Sequence, residues 1–456
     1  MMNAGMTTAR IRRRAEHRID PRVQVFAVFV IATLARGTSV FRYDAVWYWT
    51  AARSVVGSVA GAPGGYWDLR GVLTSLVYAP AAAFSAVIGP RDGRFAVLLQ
   101  NAVVLGWLAA FLLPRIVERS HALPVRGRWI CAVLTWIALA GFAPYPIMDI
   151  YAVIACFVVV SLLQRGGYIA LAAAGIAAGV AINLRPAYLV VLAMIAVVAL
   201  VWRRVPGLLF IAGAILGVAP QLIFNVIRSG KWSFSPPLAS TLVSVQTSSA
   251  AYLVRYDTIG GAGVPQQSYC SPQMARAIGD HVPTTMRALG STFLQHVPTA
   301  SLFSLEKVAA SLHWPVSAPF GNPTAGVDAV FAFFVTAVVV VGVGALVVSA
   351  VRDHESWTPA RWEHAAVLLA VLVGTIVTIA GSAMETRFAL PLVFLGIMGC
   401  TTLSHGPARE LWTSGRRWLV TAAVLVVATS VVAHIALSNP APRGLVDPAV
   451  CRSLGK

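Results

Sequence analysis

Charge is what this sequence has least of. Charged residues make up 11% of its 456 positions and apolar residues 58%, whereas soluble domains carry roughly 25% charged residues. A soluble globular fold is excluded on that ground. Lysine is nearly missing, with three residues against 32 arginines, so the basic character rests almost wholly on guanidinium groups. There is no Walker loop, no dinucleotide fingerprint and no HExxH pair, which argues against an ATP-driven pump, a nucleotide-cofactor enzyme and a zinc hydrolase. The five cysteines match no zinc spacing, so no metal and no cofactor are expected. No small-residue cleavage site follows the first apolar run, so the RIRRRAEHRIDPR segment is expected to be a cytoplasmic tail before an uncleaved helix.

What is present is a series of long apolar runs. The stretch from Ala329 to Val351 carries no charge and is long enough to cross a hydrocarbon core of about 30 Å as a helix. Reading apolar runs against charged breaks predicts about eleven spans, at 23–40, 94–114, 129–145, 150–164, 168–184, 187–202, 206–228, 329–351, 363–383, 388–403 and 418–437. The expected fold is an all-α polytopic membrane protein. The net charge of +18 reflects arginines in short loops rather than a nucleic-acid surface. Those loops are the 115–128 segment, Arg165, Arg203–Arg204, the 352–361 segment and GPARELWTSGRR. With the N-terminus inside, all of them fall on the cytoplasmic side, as the positive-inside rule requires. This sidedness holds only if the apolar stretch from Val72 to Ile88 dips into the outer leaflet without crossing.

The expected organisation is a basic tail (1–22), an N-terminal membrane module (23–228) with an outer loop at 41–93, and a large outer-face loop (229–328). C-terminal spans (329–437) and an outer tail (438–456) follow. The large loop is rich in Ser, Pro, Gly and Tyr, with amphipathic pieces expected around Met274–Leu289 and Thr299–Leu312. A loop of that length usually carries function.

On this topology Asp44, Asp68, Asp92, Asp149, Asp257, Asp280, Glu306, Asp328, Glu385 and Asp447 lie outside or at outer helix ends. Ionisable groups near a membrane are costly and mark candidate sites. Asp44 follows the first span in FRYDAVWYWTAARSVVGS, where aromatic residues favour the interface. It suits a general base, and equally a helix N-cap. Arg185 in INLRPAYL and Arg387 in METRFALPL suit phosphate binding, because guanidinium forks pair bidentately and stay charged. Either could instead snorkel or pair with a nearby acid. Further candidate substrate contacts are Tyr43, Trp47, Tyr48, Asp68, Asp149, His296, His313 and Glu385. Cys131, Cys156 and Cys400 fall within spans as packing residues. Cys270 and Cys451 both fall on the oxidising side, where a disulfide persists.

Taken in order, YDAVWYWTAARSVVG, LVYAP, PYPIMDIYA, NLRP, APQLIFNVIRSGKWSFS and ETRFALPL resemble the GT-C superfamily of membrane glycosyltransferases. The first loop is similar to that of bacterial enzymes using polyprenyl-phosphate mannose or polyprenyl-phosphate arabinose. The resemblance implies a GT-C-like bundle of about eleven transmembrane helices with two long outer-face loops in the plasma membrane. It implies a polyprenyl-phosphate sugar donor, a glycolipid or glycan acceptor, and inverting displacement with Asp44 as base. Mannose is favoured over arabinofuranose. Ala45 stands where relatives often carry a second acid, and Arg185 where some carry Lys. The competing expectations are a lipid or sugar transporter or flippase, which should show inverted repeats, and a non-catalytic envelope scaffold.

Overall fold

The computed structural model of the chain describes residues 19–89, 93–120, 122–257, 267–315, 318–320, 327–353, 357–404, 416–441 and 447–454. Asp92, most of the basic 406–417 loop and nearly all of the 1–22 tail lie outside the described residues. In chain order the main elements begin with helices α1 (Pro21–Leu34), α2 (Asp44–Val55), α3 (Ala79–Ile88), α4 (Gly93–Glu118), α5 (Val125–Phe142), α6 (Met148–Arg165), α7 (Tyr168–Leu184), α8 (Pro186–Arg203) and α9 (Val205–Ser229). A lobe follows, built from α10 (Ala239–Ala250), β1 (Leu253–Asp257), β2 (Gln267–Cys270), α11 (Pro272–Ile278), α12 (Met286–Gln295) and α13 (Val297–Leu312). The chain returns through α14 (Val327–Arg352), α15 (Pro359–Gly381), α16 (Thr386–Thr402) and α17 (Trp418–Ala436), and ends with β3 (Pro440–Ala441) and α18 (Pro448–Ser453).

Eight of these helices (α4, α5, α6, α8, α9, α14, α15 and α17) are long and apolar enough to cross a membrane. Together with the shorter apolar helices α1, α3, α7 and α16 they make a polytopic, nearly all-α membrane protein. Three expected spans thus fall on shorter helices. The first ends at Leu34 and not near residue 40, because Arg36 and Gly37 follow and Gly37 turns left-handed (φ 78°), the usual way a helix stops. Its start is set by Asp20, whose carboxylate accepts the Arg22 amide at 2.8 Å with Pro21 in the first position, a pairing that satisfies an orphan N–H. The 72–88 stretch contains only a four-residue turn of helix and the ten-residue α3. At 1.5 Å per residue α3 is about 15 Å long, half a bilayer core.

The tightest helix pairing is α7 on α9. A Cβ added at Gly175 would lie 2.0 Å from the Phe210 carbonyl oxygen, and one at Gly213 would lie 2.2 Å from that of Ala172. Small residues four apart on both helices (Gly175 with Gly179, Gly213 with Gly217) let the backbones touch, which drives helix association where lipid removes the hydrophobic incentive.

Buried amides then hold the irregular chain between residues 71 and 81. Gln221 accepts the Val72 amide at 2.7 Å, and Asn183 accepts that of Leu73 at 2.9 Å. Gln100 donates to the Val77 carbonyl at 2.8 Å and accepts the Ala81 amide at 3.1 Å. The Tyr78 hydroxyl bonds Asn101 at 3.1 Å and accepts the Ile147 amide at 3.1 Å. Non-helical backbone among apolar helices persists only when its polar groups find such partners. LVYAP is therefore a clamp that fixes the segment just after Arg70.

The lobe caps the bundle end where α6 and α16 begin and α7 ends. It departs from a purely helical chain: β1, β2 and β3 form a small antiparallel sheet in that order, pairing Tyr256 with Ser268 and Ser268 with Ala441. The piece expected at 274–289 is split into α11 and α12 by a turn with Gly279 at φ 58°. Arg255 ties β1 to the end of α13 through the carbonyls of Ala310 (2.6 Å) and His313 (2.8 Å). Lys307, fully buried, donates to the carbonyls of Ala250 (3.2 Å), Ala380 (3.0 Å) and Ser382 (2.6 Å). It thereby fastens α10 and the end of α15 to α13. Helix C-terminal carbonyls favour a cation.

Candidate active site

The site forms where five segments of the chain meet at the lobe end of the bundle. Asp44 opens α2, yet its side chain does not cap that helix. The preceding residue, Tyr43, sits at φ 48°, a strained conformation for a bulky side chain. The Asp44 carboxylate faces Arg70, with Oδ1 at 2.8 Å from Nη2, while its Oδ2 lies 4.0 Å from Arg387 Nη2. Arg387 in turn bonds Asp149 at 3.2 Å and pairs with Glu385. Arg185 reaches the same Asp149 oxygen at 2.7 Å.

Three carboxylates and three guanidinium groups thus share one small volume, and their formal charges cancel. Asp149, Glu385 and Arg387 are almost fully buried, whereas Asp44 and Arg70 keep 28% and 21% of their side-chain surface. That difference matters, because Asp44 and Arg70 are the members an incoming molecule can reach. Asp149 begins α6, where the helix dipole favours a negative charge.

Burial pushes the Asp44 carboxyl up, but the fields of Arg70, Arg387 and Arg185 outweigh it and hold it below its ordinary range. The group is ionised at neutral pH. Arg70 lies over the ring of Tyr48, 5.5 Å from its centroid. Three donors in this neighbourhood, Arg70 Nε, Arg185 Nε and the Tyr48 hydroxyl, are buried with no hydrogen-bond partner among the described residues. Buried polar groups are normally paired, so donors left over beside an ionised carboxylate are what an anion-binding site needs.

Of the residues singled out from sequence, Asp44, Asp149, Arg185, Glu385 and Arg387 come together, with Tyr48 beneath Arg70. Tyr43 stacks at 5.6 Å on Phe320, which also meets Tyr145 at 5.3 Å. Trp47 is half-buried on the same helix. Asp68 is outside the cluster, paired with Arg228 at 3.2 Å. His296 sits half-buried between α12 and α13. His313 ends α13, and burial together with Arg255 and His434 pushes its pKa down to about 4; it is neutral and belongs to the lobe. Cys270 and Cys451 form a disulfide with Cα atoms 5.5 Å apart, and Arg452 pairs with Asp280 at 2.7 Å. The tail is thereby fixed to the lobe.

Two site residues were missed in the sequence. Arg70 could have been found, because it is a basic residue in a loop assigned to the outer side, against the charge rule. Tyr256, whose phenol lies near the Glu385 carboxylate, had no signal, since only the folding of the lobe brings it near. A cleft of about 680 Å³ lies at the other end of the bundle.

No family model, characterised protein or solved structure matches this chain.

Proposed function

We propose that the protein is a glycosyltransferase that moves a sugar from a polyprenyl-phosphate donor to a hydroxyl of an envelope glycolipid or glycan at the outer face of the membrane. Mannose is the favoured sugar and arabinofuranose the next. The observation that carries this reading is that Asp44 spends its carboxylate on Arg70 and Arg387 and not on capping its helix. One ionised acid and two cations then meet at the end of an apolar bundle, with Asp44 and Arg70 part-exposed, where a lipid tail can lie beside the helices and its phosphate at their ends.

The chemistry follows from those charges. Asp44 takes the proton of the acceptor hydroxyl as its oxygen bonds to the anomeric carbon. The bond from that carbon to the phosphate oxygen breaks, and polyprenyl phosphate leaves with the electron pair. Guanidinium groups aimed at the departing phosphate stabilise the charge that develops there. Arg70 has the more accessible fork and Arg387 the deeper one.

The balanced charges also suit a purely structural clamp, because each arginine already faces a carboxylate. The two readings differ in one variant. Purified protein is supplied with radiolabelled polyprenyl-phosphate mannose or arabinose and envelope acceptors, and transfer is measured. Asp44→Asn keeps the shape and removes the base, so turnover should drop by at least roughly 10²-fold while donor binding persists. Unchanged turnover in Asp44→Asn, or no transfer of either sugar by the wild type, would reject the proposal.

A further inference from the structure

At the end of the bundle away from Asp44, α8, α14 and α16 finish and α15 begins, and they do not close on one another. The cleft between them measures about 680 Å³ and is open on one side, a size in the range of pockets that take small-molecule ligands, roughly 300–1,000 Å³. Its wall is hydrocarbon: Leu346, Leu368, Leu372 and Leu395 are typical of it. The polar residues of its lining are Ser120, Ser349, Arg361, His364 and Thr402, and Trp202, Trp357 and Trp362 stand among them. Tryptophan at such a boundary marks the headgroup level of a bilayer. Arg119, Arg203 and Arg352 are the chain neighbours of the lining residues Ser120, Trp202 and Val351. Arg203 is paired with Glu363 at 2.7 Å, whereas Arg119 and Arg361 pair with no described carboxylate. A gap at membrane depth with a greasy wall and a guanidinium rim has the polarity of an anionic amphiphile.

We infer that this cleft holds one acyl chain of an anionic glycerophospholipid, whose phosphate lies against Arg361. The inference is independent of the transfer reaction, because the cleft and the Asp44 cluster lie at opposite ends of α8. Charge complementarity selects the anionic headgroup over a zwitterionic one. The apolar wall selects a chain over a free phosphate.

The test uses the full-length protein in detergent, delipidated and then exposed to phosphatidylglycerol or phosphatidylcholine, with retained lipid counted by native mass spectrometry. One phosphatidylglycerol should be held in preference to phosphatidylcholine. Arg361→Gln should cut that preference by about fivefold, the effect of one cationic side chain near a charged headgroup, and Ala366→Phe should cut retention of both lipids by filling the cleft. A phosphatidylglycerol carrying a diazirine at its chain end should label α14 and α15 of the unaltered protein. Equal retention of the two lipids, or labelling confined to other helices, would overturn the inference. So would displacement by equimolar polyprenyl phosphate, which would hand the cleft to the donor's tail.

Discussion

At the lobe end of the bundle Arg387 is 6% exposed and faces Asp149 at 3.2 Å, Glu385 and Asp44. At the opposite end Arg203 is 33% exposed and meets the single carboxylate of Glu363 at 2.7 Å, while Arg22 and Arg128 share Glu118 there. The residue type is the same and the use differs. Arg22 and Arg203 keep part of their side chains in water and their stems on apolar surface, which costs little and sets orientation. A cluster of the first kind carries a large desolvation penalty that mutual attraction rarely overcompensates, so its retention points to work beyond stability. Sorting charged residues by burial therefore separates candidate chemistry from topology signals, which composition alone merges into one net charge.

The comparison breaks most sharply on removing one arginine from each end. Arg387→Met leaves two buried carboxylates short of a partner and should cost about 3–5 kcal/mol. Arg22→Met removes an exposed partner from Glu118, which keeps Arg128, and should cost roughly 0–1 kcal/mol. Thermal unfolding of the two variants in one detergent measures both. Equal losses would mean that the burial contrast has no energetic content.

Lys307 gives the next effect. It is buried in the lobe, where it meets three carbonyls and the face of Phe303 but no described carboxylate, so it should behave structurally. Lys307→Met strands three acceptors and should cost about 1–3 kcal/mol without changing the affinity for donor in protein that remains folded. A change in donor affinity larger than the change in stability would move Lys307 into the site.

Arg70 sharpens the contrast through pH. Burial raises the Asp44 carboxyl and Arg70 is the largest charge lowering it. A depressed carboxyl contributes stability above its unfolded pKa of about 3.9, and loses it as pH falls through the folded value. The acid limb of wild-type activity should accordingly lie below about pH 4. In Arg70→Met burial dominates, and the limb of the kcat/KM profile should move toward neutral pH. Superimposable profiles would show that Arg70 does not set the charge of Asp44.

Much of the membrane architecture was legible because an apolar run of span length has few alternatives. Each expected span has a helix, with ends displaced where a local signal such as Gly37 or Pro359 decides. The cluster was legible in its acids, because a carboxylate at a membrane boundary is expensive wherever it occurs. Its electrostatic completion was not: Arg70 pairs with Asp44 across 26 residues, and the pairing depends on Asn183 and Gln221 holding the chain just after Arg70. Nothing in an apolar helix announces that its one amide will accept a hydrogen bond from a loop. The small sheet was equally hidden, since β3 is two residues long and is defined by its partner.

The smallest effect concerns the two aspartates of the first loop, which look alike in sequence. Asp68 and Asp44 each precede or follow aromatic residues, and each has an arginine partner. Among the described residues Asp68 pairs with Arg228 alone, at 3.2 Å, with 32% and 40% of the two side chains exposed, whereas Asp44, 28% exposed, faces Arg70 and Arg387 within the field of Arg185. An exposed pair of that kind contributes roughly 0–1 kcal/mol and is further screened by salt. Asp68→Asn should therefore leave the unfolding temperature and turnover within a factor of about two of wild type, because only a screened surface pair is lost. The Asp44→Asn variant, changed by the same single atom, should lose turnover. If Asp68→Asn lost turnover as severely, the number of cations facing the carboxylate would not be what distinguishes the two, and the contrast between the clustered and the scattered charges would fail at the position where the sequence gives it least help.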